Sequence, residues 1–199
     1  MARVCLVGNE DIHLQYELLS RETARDALAA YDLREPFENS VAVETVSLGA
    51  AVSLLNDLNW YLIRFVEDAI VYEPSVSDDE WLSRGLAAAI RDDQIKPEDS
   101  DRFLKIYGLE YSESATQPDS PDSEKEDDEA AEPGDDGNEK NPPTDTDEET
   151  APGYDEAAEP PRLVEPMLVT RTGDSVPEYD LQPVAETLTV RVTAEEFGA

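Results

Sequence analysis

One cysteine, one histidine and four lysines are all that a chain of 199 residues contains, and each shortage removes a class of function. With a single thiol, Cys5, no intramolecular disulfide can form. Its place in the apolar run "RVCLVG" marks it as a small buried residue rather than a nucleophile. Cys5 and His13 together cannot supply an ordinary zinc set from one chain. A Ser-His-Asp relay would have to pass through His13, whose polar neighbours Gln15 and Glu17 point to a solvent-facing ring, and no serine is framed as a nucleophile elbow. The glycine-rich phosphate loops are missing too. The turn "LVGNED" offers one glycine followed by two acids, which would repel a phosphate. No apolar run approaches the ~18 residues of a membrane span, and the opening turns acidic too early for a secretory signal. These absences predict a soluble, cytoplasmic protein with no cofactor, no metal ligands and no recognisable catalytic set.

What is abundant is negative charge: 48 acids against 15 bases, a net of −33. Residues 1–110 hold 22 acids and 10 bases, 111–160 hold 19 and 2, and 161–199 hold 7 and 3. Eleven arginines stand against four lysines. Acid-rich, lysine-poor folded domains suit a cytosol at molar salt, where repulsion is screened within about 3 Å. A mesophilic protein with an acidic tail would not acidify residues 1–110 as well.

The pattern predicts a globular α/β-type domain over 1–110, a disordered acidic linker over 111–160 and a C-terminal β segment over 161–199. In the first part "RVCLVG" and "VAVETVSL" read as strands, "SRETARDALAAYD" as a helix capped by Ser20, and "LGAAVSLLNDL" as a helix capped by Ser47. Residues 12–19 fit strand or helix equally. Residues 59–73 favour strands by their Trp, Tyr, Ile, Phe and Val content, against one long helix from Leu48 through Val66. Ser77 and Glu80 have capping-box spacing, which predicts a helix over 78–92. Pro97 and Gly108 then bracket a second one. The middle segment has two tyrosines, Tyr111 and Tyr154, and too little apolar surface to offset its chain entropy. "LVEPMLVTRTG" reads as a strand, at a sheet edge because Pro166 lacks an N–H. "TLTVRVT" alternates an apolar face (Leu188, Val190, Val192) with a polar one (Thr187, Thr189, Arg191, Thr193), as a strand near an antiparallel edge does. Two such strands are marginal alone. The fold class is therefore α+β or α/β: a small mixed sheet with covering helices, on which the C-terminal segment docks.

The stretch from "LQYELLSRETARDALAAYDLREPFENS" to "NWYLIRFVEDAIVYEP", with "LVEP" and the closing "VRVTAEEFG", resembles a family of small haloarchaeal proteins of unknown function. The resemblance covers most of 3–110 and implies a haloarchaeal cytoplasmic protein. It carries no activity and no site residue.

Three functional readings remain. The favoured one is a non-enzymatic interaction or regulatory module, with a protein partner or a second copy engaged through the C-terminal strand. The second is a small-ligand or metal-dependent enzyme using carboxylates such as Glu10, Asp11 and Glu44. The third is a DNA-associated regulator, whose sign would be a basic stripe of Arg21, Arg25, Arg84 and Arg91. Only Arg102 and Lys105 of the expected second helix could reach phosphates, which disfavours nucleic acid.

Overall fold

The computed structural model describes residues 1–112, 159–173 and 175–199. The disordered linker expected over 111–160 falls almost wholly outside the described residues. Strand β1 (Ala2–Gly8) is buried at every position except the half-buried Arg3, as its apolar run predicts. Helix α1 (Leu14–Leu19) settles the ambiguity at 12–19, because Leu14 and Leu18, one turn apart, both reach the core. Ser20 closes α1 rather than opening the next helix; α2 (Glu22–Leu28) begins after Arg21. Strand β2 (Ser40–Thr45) leads to α3 (Leu48–Asp57), where the Ser47 hydroxyl accepts the Ala50 N–H at 3.2 Å, the cap expected.

Residues 59–73 divide into α4 (Asn59–Phe65) and β3 (Val66–Tyr72). The strand expectation holds for the second half only. In the first half Leu58 and Leu62 continue the buried stripe of α3, and that packing outweighs the β-propensity of Trp60 and Ile63.

The helix expected over 78–92 is corrected to a strand and a shorter helix. Ser77 does accept the Glu80 N–H at 3.2 Å. The chain then runs through β4 (Trp81–Ser83) before α5 (Arg84–Arg91) starts on its own cap, Ser83, which accepts from Leu86 at 3.1 Å. Trp81 and Leu82 are buried in different cores on opposite faces, and only a strand points successive side chains both ways. The second expected helix is also corrected. Pro97–Asp99 makes a single 3-10 turn, and β5 (Phe103–Glu110) follows. Gly108 therefore ends no helix. A Cβ there would lie within 3.0 Å of Val164, Tyr179 and Val184, so the glycine permits close approach of a crossing segment. Strands β6 (Arg162–Thr170) and β7 (Glu186–Arg191) and the short helix α6 (Ala194–Phe197) complete the described chain.

The seven strands form one mixed sheet in the order β2-β1-β3-β4-β7-β5-β6. Every pairing is antiparallel except that of β4 with β7. The C-terminal segment thus docks on the sheet that holds β1 and β2, as expected; β7 is near an edge but interior, third from the β6 side. The edges are β2 and β6, and Pro166 of β6 lies where the register with β5 shifts between Ile106 and Gly108. Helices α1 to α5 cover one face through Val4, Leu6, Val43, Val71 and Leu82. The opposite face gathers Cys5, Ile70, Trp81, Tyr107 and Val190, with Phe197 of α6 packed against them. The sheet curls around this second core. The Glu38 N–H donates to the Pro161 carbonyl at 2.9 Å, and Arg162 meets Glu10 at 3.1 Å, so the approach to one edge strand touches the start of the other. Among the described residues no helix is long and apolar enough to cross a membrane.

Candidate functional site

The carboxylates singled out in the sequence do not converge. Glu10 lies exposed beyond the end of β1, paired with Arg162 at 3.1 Å. Glu44 stands opposite Arg3 near the other end of that strand, within 3.8 Å of Arg3 and 3.5 Å of Arg34. Asp11 is exposed. Among the described residues no group of three His, Cys, Asp or Glu could hold a metal ion. His13 is exposed at the start of α1 and makes no capping bond. Burial pushes the Cys5 thiol up to about 12, against the weaker opposing pull of a hydrogen bond with Ser40, so it stays protonated and inert at neutral pH. The four arginines of the proposed basic stripe do not act together either. Arg21 is held by Glu17 at 3.1 Å and Arg91 by Asp92 at 2.8 Å. Arg84 bonds Asn59, and Arg25 stands exposed on α2.

Two polar clusters escaped the sequence reading. Glu80, buried just before β4, accepts the Nε of Arg191 at 2.5 Å on one oxygen and Nη2 of Arg171 on the other. Arg191 also donates to Ser100 at 3.2 Å, and Arg171 lies 3.4 Å from Asp101. The polar face of β7 is therefore not uniformly wet, since Arg191 is buried. The second cluster centres on Asp68 of β3, which accepts from Lys105 at 2.5 Å and from the Tyr107 hydroxyl. Burial first, then the negative charge of Asp68, raises the tyrosine's pKa well above the ordinary range, so it remains a donor. Both oxygens of Glu80 are occupied, and one oxygen of Asp68 holds two donors. These groups join β3 and β4 to β5, β6 and β7. A cleft of about 550 Å³ lies beside Glu80, between Ile106 and the crossing segment with Val176 and Tyr179. Its polar groups are mainly carboxylates and threonine hydroxyls.

The surface that stands out is the outer face of α4. This two-turn helix is apolar nearly all round. Leu62 is buried, Tyr61 and Phe65 are half-buried, and Trp60 and Ile63 face outward, 49% and 76% exposed. A helix apolar on every side is normally buried on every side. Here one side is covered by no other element among the described residues. Tyr16, on the adjacent α1, is 69% exposed as well. The Arg64 guanidinium lies 4.5 Å from the centre of the Trp60 ring, and Arg84 donates to Asn59 at 2.8 Å and Asn56 at 3.4 Å. Exposed Trp, Tyr and Arg beside an aliphatic side chain is the composition of a protein contact surface. Sequence reasoning missed it because strands were expected there. The helical spacing of Leu48, Val52, Leu55, Leu62 and Val66, interrupted at Asn59, was the available signal for a helix there.

A family model described as a family of unknown function, DUF5804, matches residues 2–109. No curated protein and no solved structure is similar to the chain.

Proposed function

The chain belongs to this family of unknown function, and we propose that it is a non-enzymatic interaction module whose contact surface is the outer face of α4. The supporting observation is the exposed pair Trp60 and Ile63 on a short helix that is apolar on its inner side too. Both neighbours of β7 belong to this chain. Of the two C-terminal strands only β6 lies at a sheet edge, and Pro166 with the adjacent register shift blunts that edge. The contact is therefore assigned to α4 rather than to the C-terminal strand. A photo-crosslinking residue in place of Ile63 is expected to give a discrete adduct in cells, and the same residue in place of the exposed Val46 is not. Equal patterns at the two positions would remove the assignment.

The setting of this module is a haloarchaeal-type cytoplasm at molar salt. The 22 acids against 10 bases in residues 1–110, and the preference for arginine over lysine, support it. Unscreened repulsion should weaken the fold as salt is withdrawn. Circular dichroism is expected to show a falling melting temperature as KCl drops from molar to tens of millimolar. A constant melting temperature across that series would contradict the high-salt setting.

A further inference from the structure

We infer that the α4 face receives an acidic, amphipathic segment of another protein, with apolar anchors against Trp60 and Ile63 and carboxylates on Arg64 and Arg84. The inference rests on the reading of α4 as a contact surface and adds the chemistry of what binds there.

Charge carries it. The chain has 48 acids for 15 bases, so carboxylates are abundant. Seven of the eleven arginines form ion pairs among the described residues: Arg3, Arg21, Arg34, Arg91, Arg162, Arg171 and Arg191. The other four, Arg25, Arg64, Arg84 and Arg102, have no carboxylate partner among those residues, and of these Arg64 lies on α4 and Arg84 bonds its first residue, Asn59. Arg64 rests on the Trp60 ring. Arg84 is held by the neutral oxygens of Asn59 and Asn56, which leave several of its five donors free. The Arg64 guanidinium thus lies on Trp60 and that of Arg84 at Asn59, the residue before it, both with hydrogen-bonding capacity to spare. Asn59 and Ile63 are one helical turn apart, as are Trp60 and Arg64, so Arg64 and the two anchors form one strip along α4, with Asn59 and its partner Arg84 of α5 at the start of it. A segment laid along such a strip would place apolar residues at helical spacing inward and acids at its margins.

The same observations weigh against other occupants. A second copy paired face to face would set arginines against arginines. The chain's own residues 113–158 are acidic but contain no Leu, Ile, Val, Met, Phe or Trp to cover Trp60 and Ile63. Two guanidinium groups in so acidic a protein are far fewer than the phosphate contacts that hold a nucleic acid.

The test uses the full chain, in KCl sufficient to keep it folded, and three labelled peptides read by fluorescence anisotropy. One has leucines at helical spacing among glutamates. The second has lysines for the glutamates, and the third has serines for the leucines. Only the first is expected to bind. The variants are Ile63→Ser and Arg64→Glu, at exposed positions, the latter combined with Arg84→Glu at a half-buried one, and circular dichroism verifies that each keeps the parent's fold. Each variant is expected to weaken binding by at least about tenfold. The double arginine variant should in addition acquire affinity for the lysine peptide, which a merely structural role would not produce. Binding of the leucine peptides regardless of charge, lost in Ile63→Ser, would overturn the acidic partner while leaving the contact surface in place. No binding of the glutamate peptide, despite a crosslink at position 63, would overturn it in the same way. Three other results would also overturn it: a dimer abolished by Ile63→Ser, binding that appears only after deletion of 116–158, and displacement of the peptide by a single-stranded oligonucleotide.

Discussion

A chain ending at residue 112 is expected to show no cooperative melting transition. Both strand neighbours of β5, namely β6 and β7, lie beyond that point, and β4 loses its parallel partner as well. Truncation also removes Leu188, Val190 and Val192 from the second core, each at least nine-tenths buried. Burial of such side chains is worth about 1.5–3 kcal/mol apiece. Their combined loss is therefore on the scale of a small domain's whole stability, about 5–15 kcal/mol. Trp81, Tyr107 and Leu109 would be uncovered on the same face. A subtler version keeps the full chain and changes Val190 to Asp. Val190 is 1% exposed, so a carboxylate there must be desolvated without a partner. Its melting temperature should fall far below that of the parent, and residues 159–199 supplied as a separate chain should restore a transition to the truncated one. A truncated chain that melts like the full one would show that the tail strands add nothing.

The second large effect is expected from Arg191→Met. The guanidinium of Arg191 occupies one oxygen of Glu80 at 2.5 Å, in a site where both side chains are about nine-tenths buried. Removing one partner of a buried pair leaves a desolvated charge and costs about 3–5 kcal/mol. Arg171 remains on the other oxygen of Glu80, so the lower part of that range is expected. The double variant Glu80→Gln with Arg191→Met should lose less than the sum of the two single losses, because the stranded charge is gone. Urea denaturation of the four proteins measures this coupling. Strict additivity would mean that the two residues do not depend on each other.

Glu80 and Arg191 are 111 residues apart, which explains why neither was singled out in the sequence. A buried ion pair leaves no mark in the periodicity of either strand. Arg191 read as one of four polar residues on a wet face, and only the neighbour across the sheet shows otherwise. The elements legible in the sequence are those whose signal is local. β1 is a continuous apolar run, α3 has the Ser47 cap, and β7 has strict alternation. The elements misread were those where a local signal met a non-local constraint. The Ser77–Glu80 spacing does form its hydrogen bond, but burial of Trp81 and Leu82 on opposite faces then demands a strand. Pro97 and Gly108 resemble helix punctuation. In the fold, one starts a single turn and the other makes room for Tyr179 and Val184. The candidate surface was illegible for a related reason. A helix with apolar residues on both faces does not announce which side the core will take, so Leu62 and Ile63 look equivalent until α4 is packed.

Native-state amide exchange decides most directly whether the tail supplies an integral strand of the sheet. The amides of β7 that pair with β4 and β5, around Leu188 to Arg191, are expected to exchange with the same opening free energy as those of β1 and β3 around Cys5 and Ile70. All of them should lose protection together in rising denaturant. Rapid exchange in β7, while β1 and β3 stay protected, would contradict a single cooperative sheet and leave the tail as a strand only loosely held.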